Sequence, residues 1–432
     1  MTTQRRNFLR LFGASGLATS MASWSLPTLA ASDVATTLAK SSGRRVVVVG
    51  GGFGGTIAAK FIRMQDPGIE VVLIEPNRQF VASPMSNLYL GGLLPDLSTL
   101  TMGYDQLLAQ HDIKMVYDSV TAIDPQKKTV TVSTDTIDYD RLILSPGIDF
   151  RTEEIQGYDR QTTPEQMPHA WKTGAQTQLL RQQLVDMPDG GTVVLTVPAA
   201  PFRCHAAPYE RASMIAMYLQ QHKPKSKIVL LDANPDILVH AELFKKGWKK
   251  HYDGIIDYRS AQKLIAVDAG KRSVALQSGK EIRGDVVNLI PPQRAGQIAV
   301  AAGLVGRDKS WCPVNELTFE STLKKNIHVI GDACSAGAMP KSGFSANGQA
   351  KICAHNIVAL MNDKEPSEIS GIDTAFSYVS AKEAASVVSV FATKDSKIIQ
   401  VPNSGGVSPD WSETEAAYAS SWFKNILTEM SS

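Results

Sequence analysis

Arg45-Val46-Val47-Val48-Val49-Gly50-Gly51-Gly52-Phe53-Gly54-Gly55-Thr56 decides the fold. A continuous β-branched run is the pattern of a strand buried on both faces of a parallel sheet. Gly50, Gly52 and Gly55 follow at once as G-x-G-x-x-G, residues 56–64 read as a helix, and residues 71–74 as a second strand ending at Glu75. Such a βαβ unit needs its glycines for a tight turn, for backbone approach to a pyrophosphate and for close helix packing. An acid twenty residues beyond the last glycine holds ribose hydroxyls and favours FAD or NAD over NADP. The expected class is therefore α/β, with two Rossmann-like dinucleotide-binding-type domains and a small C-terminal α+β domain.

Working outward, short alternating runs at 114–117 and 129–132 predict a small antiparallel insert. It closes on strand 142–144 and the turn Ser145-Pro146-Gly147, where Pro146 is a candidate cofactor contact. A second nucleotide-type pattern begins at Gly190-Gly191, with strand 192–197, helix 212–221 and strand 228–231, followed by strands at 273–277 and 286–290. Residues 326–330 form a late strand ending in Gly331-Asp332, and helix 346–361 follows. In two-dinucleotide flavoproteins an aspartate at this place lies by the ribityl and phosphate of FAD, so FAD is expected rather than NAD. The expected domains are a first FAD-binding part at 44–155, a second Rossmann-like domain at 156–292, the returning FAD part at 293–362 and a C-terminal unit at 363–432.

The second half has lost what an NAD site needs. Its first strand runs into Val197-Pro198-Ala199-Ala200-Pro201-Phe202-Arg203-Cys204-His205, where prolines replace glycines and remove backbone donors. Cys204 stands there between Arg203 and His205, neighbours expected to favour the reactive thiolate. The final helix, 413–430, carries an apolar face that serves either the chain's own core or a partner.

Composition narrows the partners and the compartment. The 432 residues hold 44 Lys+Arg against 42 Asp+Glu, which leaves no basic footprint for nucleic acid. Residues 1–30 carry Arg5, Arg6 and Arg10 and no acid. Their order of basic, weakly apolar and small residues is that of an export signal, and the paired arginines resemble a twin-arginine leader. A leader at 1–30, a linker at 31–43 and a periplasmic protein without a transmembrane segment are expected. The cysteines Cys204, Cys312, Cys334 and Cys353 include no C-x-x-C-H haem motif, and no Cys/His cluster has zinc spacing. No metal is expected.

Several segments carry a family resemblance. Residues 50–77, Pro201-Phe202-Arg203-Cys204 with Pro208-Tyr209-Glu210-Arg211-Ala212-Ser213, Asn288-Leu289-Ile290-Pro291-Pro292-Gln293-Arg294-Ala295-Gly296, Trp311-Cys312-Pro313-Val314, Gly331-Asp332-Ala333, Met339-Pro340-Lys341-Ser342 and Ser421-Trp422-Phe423 resemble the flavoprotein subunit of flavocytochrome c sulfide dehydrogenase. That family is similar in fold to glutathione reductase and to sulfide:quinone oxidoreductases. The resemblance implies periplasmic, FAD-dependent oxidation of a small inorganic sulfur compound, with electrons leaving to a c-type cytochrome subunit in a heterodimer. It also implies that Cys204 is one half of a redox disulfide beside the flavin and that Lys341 lies at the flavin's pyrimidine end.

Two departures stand out. The partner cysteine's segment reads Thr374-Ala375-Phe376-Ser377, and the stretch that tethers the flavin in the family reads Ser83-Pro84-Met85-Ser86-Asn87. FAD is thus expected to be non-covalent. Cys204 must pair with another cysteine, of which Cys334 is the nearest candidate by motif, or act alone, or serve another donor. The alternatives to a cytochrome-linked enzyme are a quinone-reducing sulfide oxidoreductase at the membrane surface and an inactive or relay flavin subunit.

Overall fold

The computed structural model describes residues 44–432, so the expected leader and linker lie outside the described residues. Val46, Val47 and Val48 are fully buried, because the strand Arg45–Val49 has parallel neighbours on both sides. The sheet runs Ile327–Val329, Arg141–Leu144, Arg45–Val49, Glu70–Ile74, Lys114–Val116, parallel throughout. Each fully buried valine contributes about 1.5–3 kcal/mol relative to exposure. The edge strand Ile327–Val329 pairs with residues 185 positions earlier in the chain, so the sheet is discontinuous in sequence.

Lys114–Val116 corrects an expectation. It belongs to this parallel sheet, because helix Asp105–His111 carries the chain back across the face and returns it beside Glu70–Ile74. As an edge strand its Lys114 is exposed and pairs with Glu70, which produces the alternating look. The antiparallel insert is Ala122–Asp124, Thr129–Thr131 and Thr136–Asp138.

The second sheet is also parallel, in the order Ile256–Arg259, Lys227–Asp232, Thr192–Val197, Val286–Leu289. Helix Ala207–His222 crosses between its first two strands and starts five residues earlier than its apolar pattern predicts. Pro208 sits in its first turn, where the missing N–H costs nothing.

An antiparallel sheet near the C-terminus joins Gly371–Tyr378, Ala384–Lys394 and Lys397–Gln400. Helix Glu413–Ser431 follows, capped by Ser412, whose hydroxyl accepts from the Glu415 N–H at 3.2 Å. Phe423 and Ile426 of this helix pack with Ala82, Leu97 and Leu100. The apolar face therefore docks on the chain's own core, while Tyr418 points outward, 59% exposed.

Candidate functional site

Three chain crossings converge at the C-terminal ends of the first sheet. Gly50 has φ +103°, and a Cβ there would lie 2.3 Å from the Ser145 carbonyl oxygen. A Cβ on Gly55 would lie 1.8 Å from the Gly50 oxygen, so the helix can start this close only with glycine. Pro146 follows Ser145 and sits against Gly296, whose Cβ would meet it at 2.7 Å. Gly52 is less constrained, since a Cβ there would touch only the Phe80 ring at 3.4 Å. The Glu75 carboxylate accepts from the Gly51 N–H at 2.9 Å and from the Asn77 N–H at 3.0 Å. It thus stands beside the glycine turn, where ribose hydroxyls would be held.

Asp332 enters from the strand Ile327–Val329 through Gly331, which has φ +72° and donates its N–H to Gln349 Oε1 at 2.8 Å. Asp332 Oδ1 is covered and has no partner. Burial raises its pKa, while Arg203 and Lys341 oppose the rise. A covered acceptor without a donor, beside a glycine cradle and the N-terminus of helix Gly55–Gln65, suits the hydroxyl-rich chain and diphosphate of FAD.

A cavity of about 310 Å³ gathers the other segments singled out in the sequence. Its wall includes Ser83, Cys204, Glu210, Lys341, Ala375 and Trp422. Cys204 is half-buried, in the left-handed region at φ +56°, and donates its N–H to the Lys341 carbonyl at 2.9 Å. Ala375 lies on Gly371–Tyr378 opposite Val387, so positions 204 and 375 face the same cavity.

The thiolate expectation for Cys204 is not met. Burial pushes its thiol up to about 12, and the Arg203 charge offsets only part of that. Arg203 turns its guanidinium to the Trp171 carbonyl. The His205 ring packs edge-on to Phe202 at 4.9 Å, and burial with nearby Lys341 lowers its pKa, leaving it neutral. The resting residue is a protonated thiol.

Lys341 is no solvated loop residue. Its Nζ donates to the carbonyls of Asp332 at 2.9 Å and Cys334 at 2.6 Å and lies 3.8 Å from the centre of the Trp311 ring. Burial lowers its pKa. Cys334 itself is not in the cavity wall. Its thiol donates to the Gly331 oxygen at 3.2 Å and to Gln349 Oε1 at 3.3 Å, and its strand lies beside Cys312. The structure does not bring Cys334 and Cys204 to one cavity.

Glu210 is the residue that sequence reasoning missed. Its carboxyl accepts from Asn87 Nδ2 at 2.6 Å and from the Tyr378 N–H at 2.9 Å, and burial pushes its pKa up to about 7. Arg211, next in sequence, does not pair with it, being held by Asn87 Oδ1, Asn288 Oδ1 and the carbonyls of His169 and Ala170. A carboxyl in the cavity wall that titrates near neutrality can take up a proton there. Its only sequence signal is an acid on what becomes a buried face of helix Ala207–His222.

The second sheet has filled its own nucleotide position. Asp232, fully buried at the end of Lys227–Asp232, accepts from the hydroxyls of Tyr209 at 2.7 Å and Tyr258 at 3.1 Å and from Asn234. The acid that would hold the adenosine ribose of NAD is saturated from within.

Family models agree with this geometry. Residues 177–291 match the central part of the sulfide dehydrogenase [flavocytochrome c] flavoprotein chain, and residues 372–430 match the flavin-binding part of flavocytochrome c sulphide dehydrogenase. A flavoprotein chain of that enzyme from Chlorobaculum thiosulfatiphilum is 59% identical over 44 residues, covering 10% of this chain and 92% of that one. The sulfide-quinone reductase of Aquifex aeolicus is 24% identical over 350 residues, covering 73% of this chain and 76% of the relative. The solved sulfide:quinone oxidoreductase of the same organism superposes with a TM-score of 0.70 at 18% identity, over 90% of this chain and 91% of that one. FAD is accordingly the dinucleotide of the cradle.

Infrared difference spectra over pH 5–9 test the Glu210 assignment. A protonated carboxyl band should vanish as pH rises through about 7 and be missing in Glu210→Gln. A wild-type spectrum without that transition contradicts it.

Proposed function

The chain belongs to the flavoprotein-chain family of flavocytochrome c sulfide dehydrogenase, and on that footing we propose that it oxidises sulfide at Cys204 and passes the electrons to a c-type cytochrome subunit in the periplasm. When bound, FAD supplies a two-electron oxidant that can be reoxidised one electron at a time. Gly50, Gly55, Glu75 and Asp332 would hold it, and Lys341 stands at the cavity end of the same crossing.

One observation carries the reading: Cys204 and Glu210 share a cavity with Ala375, where the resemblance puts the family's second cysteine. Joining a sulfide sulfur to the Cys204 sulfur gives a persulfide and releases one proton and two electrons. The Glu210 carboxylate, in the wall of the same cavity, would accept that proton, and its pKa suits the transfer at neutral pH. The Cys204 thiol must lose its own proton on the way, which burial opposes, so an ionised acceptor in the wall is needed. Cys204 works without a resolving partner, since Cys334 is not in the cavity wall.

The periplasmic assignment rests on the basic, apolar and small-residue order of residues 1–30. Among the described residues no helix is long and apolar enough to cross a membrane. A quinone acceptor is the second reading, favoured by the length over which sulfide:quinone oxidoreductases align with the chain.

Sulfide-dependent reduction of cytochrome c distinguishes these readings. The wild-type protein should reduce cytochrome c and not a soluble quinone, and Cys204→Ser should lower the rate by about 10³-fold or more. Retained activity in Cys204→Ser contradicts the assignment of the sulfur acceptor, and reduction of quinone alone favours the second reading. Since residues 83–87 hold no cysteine, acid precipitation should release all the FAD into the supernatant. Flavin retained in the pellet contradicts non-covalent binding.

A further inference from the structure

Two cysteines unused by the proposed chemistry lie side by side beneath the site. The strands Cys312–Pro313 and Cys334–Ser335 form a short parallel bridge in which Cys312 and Cys334 are partners across the ladder. Neighbouring strands run about 4.8 Å apart, inside the roughly 4.4–6.8 Å that a disulfide spans between Cα atoms. Directly paired residues present their side chains on the same face of the ladder. Both are buried, at 0% and 2% exposure, and the Cys312 thiol senses the charge of Cys334, which with burial raises its pKa.

The surroundings hold this pair together and keep Cys204 away. Lys341 Nζ donates to the Cys334 carbonyl while resting over the ring of Trp311, so one ammonium ties both strands. The Cys334 thiol makes only weak bonds, to Gly331 O and Gln349 Oε1, and the Gln349 oxygen keeps the Gly331 N–H as donor if the thiol leaves. Cys204 is in the cavity wall, and Cys353, whose thiol also feels Cys334, is buried in helix Gly343–Met361 and is no ladder partner of it.

We propose that Cys312 and Cys334 are a dithiol that closes to a structural disulfide, and that this clasp is the chain's cysteine pairing. With a low-molecular-weight disulfide as oxidant, one S–S bond of the reagent breaks and one forms between Cys312 and Cys334. Two electrons pass from the protein thiols to the reagent, and their two protons leave on the two reagent thiols. The link joins the Asp332 loop to the Trp311 strand, so it fixes the two backbone segments against which the Lys341 ammonium is held.

The flavin-bound protein is equilibrated with glutathione buffers from fully reduced to fully oxidised, quenched in acid, unfolded and alkylated. In Cys204→Ser, used to remove the partly exposed thiol, alkylated cysteines should fall from three to one. Wild-type protein digested with trypsin at the oxidised end should yield a linked pair of peptides 310–324 and 326–341, and the oxidised form should melt at a higher temperature than the reduced one. Cys312→Ala and Cys334→Ala should each lose the linked pair. Three alkylated cysteines in Cys204→Ser at every ratio, or a wild-type link joining Cys204 to Cys334, overturns the proposal.

Discussion

Backbone-on-backbone contact at Ser145 is the constraint on which the site depends. Gly50 approaches the Ser145 carbonyl too closely for any side chain, Gly55 approaches Gly50 in the same way, and a Cβ on Gly54 would lie 2.5 Å from the Ser145 hydroxyl. Ser145 donates its N–H to Val49, and Ile330 donates to Leu144. Three strands from distant parts of the chain thus end within one turn of each other. That convergence puts the glycine turn, Pro146 and the uncompensated oxygen of Asp332 around a single dinucleotide path.

The second sheet repeats the architecture and gives up its ligand. Tyr209, Tyr258 and Asn234 satisfy Asp232, so the position that would bind the adenosine ribose of NAD is sealed by internal hydrogen bonds. The proline-rich loop after Thr192–Val197 is freed to carry Cys204 into the cavity, and helix Ala207–His222 brings Glu210 to the same wall. One loop thus both lacks the glycines of a nucleotide turn and brings Cys204 to the cavity.

Much of this was legible in the sequence, for physical reasons. The valine run, the glycine spacing and the Gly331-Asp332 ending are local patterns with strong steric meaning, and their geometry follows from the backbone. What depended on side-chain direction was not legible. Arg203 adjoins Cys204 in the chain, yet burial of the thiol outweighs its charge, so adjacency does not become a thiolate. Glu210 is named in the sequence only within a family segment, and the burial that raises its pKa is set by the packing of Tyr378 and Asn87 from distant segments. Cys334 was near the cofactor by motif, but the Lys341 clamp places its strand against Cys312.

The central claim is that this chamber, with one cysteine in its wall, transfers electrons from sulfide to FAD. Anaerobic titration with sulfide, followed in the flavin absorbance, tests it directly. Loss of the oxidised flavin band at about one sulfide per flavin is the predicted result, as a two-electron oxidation requires. A flavin spectrum unchanged by excess sulfide would contradict it.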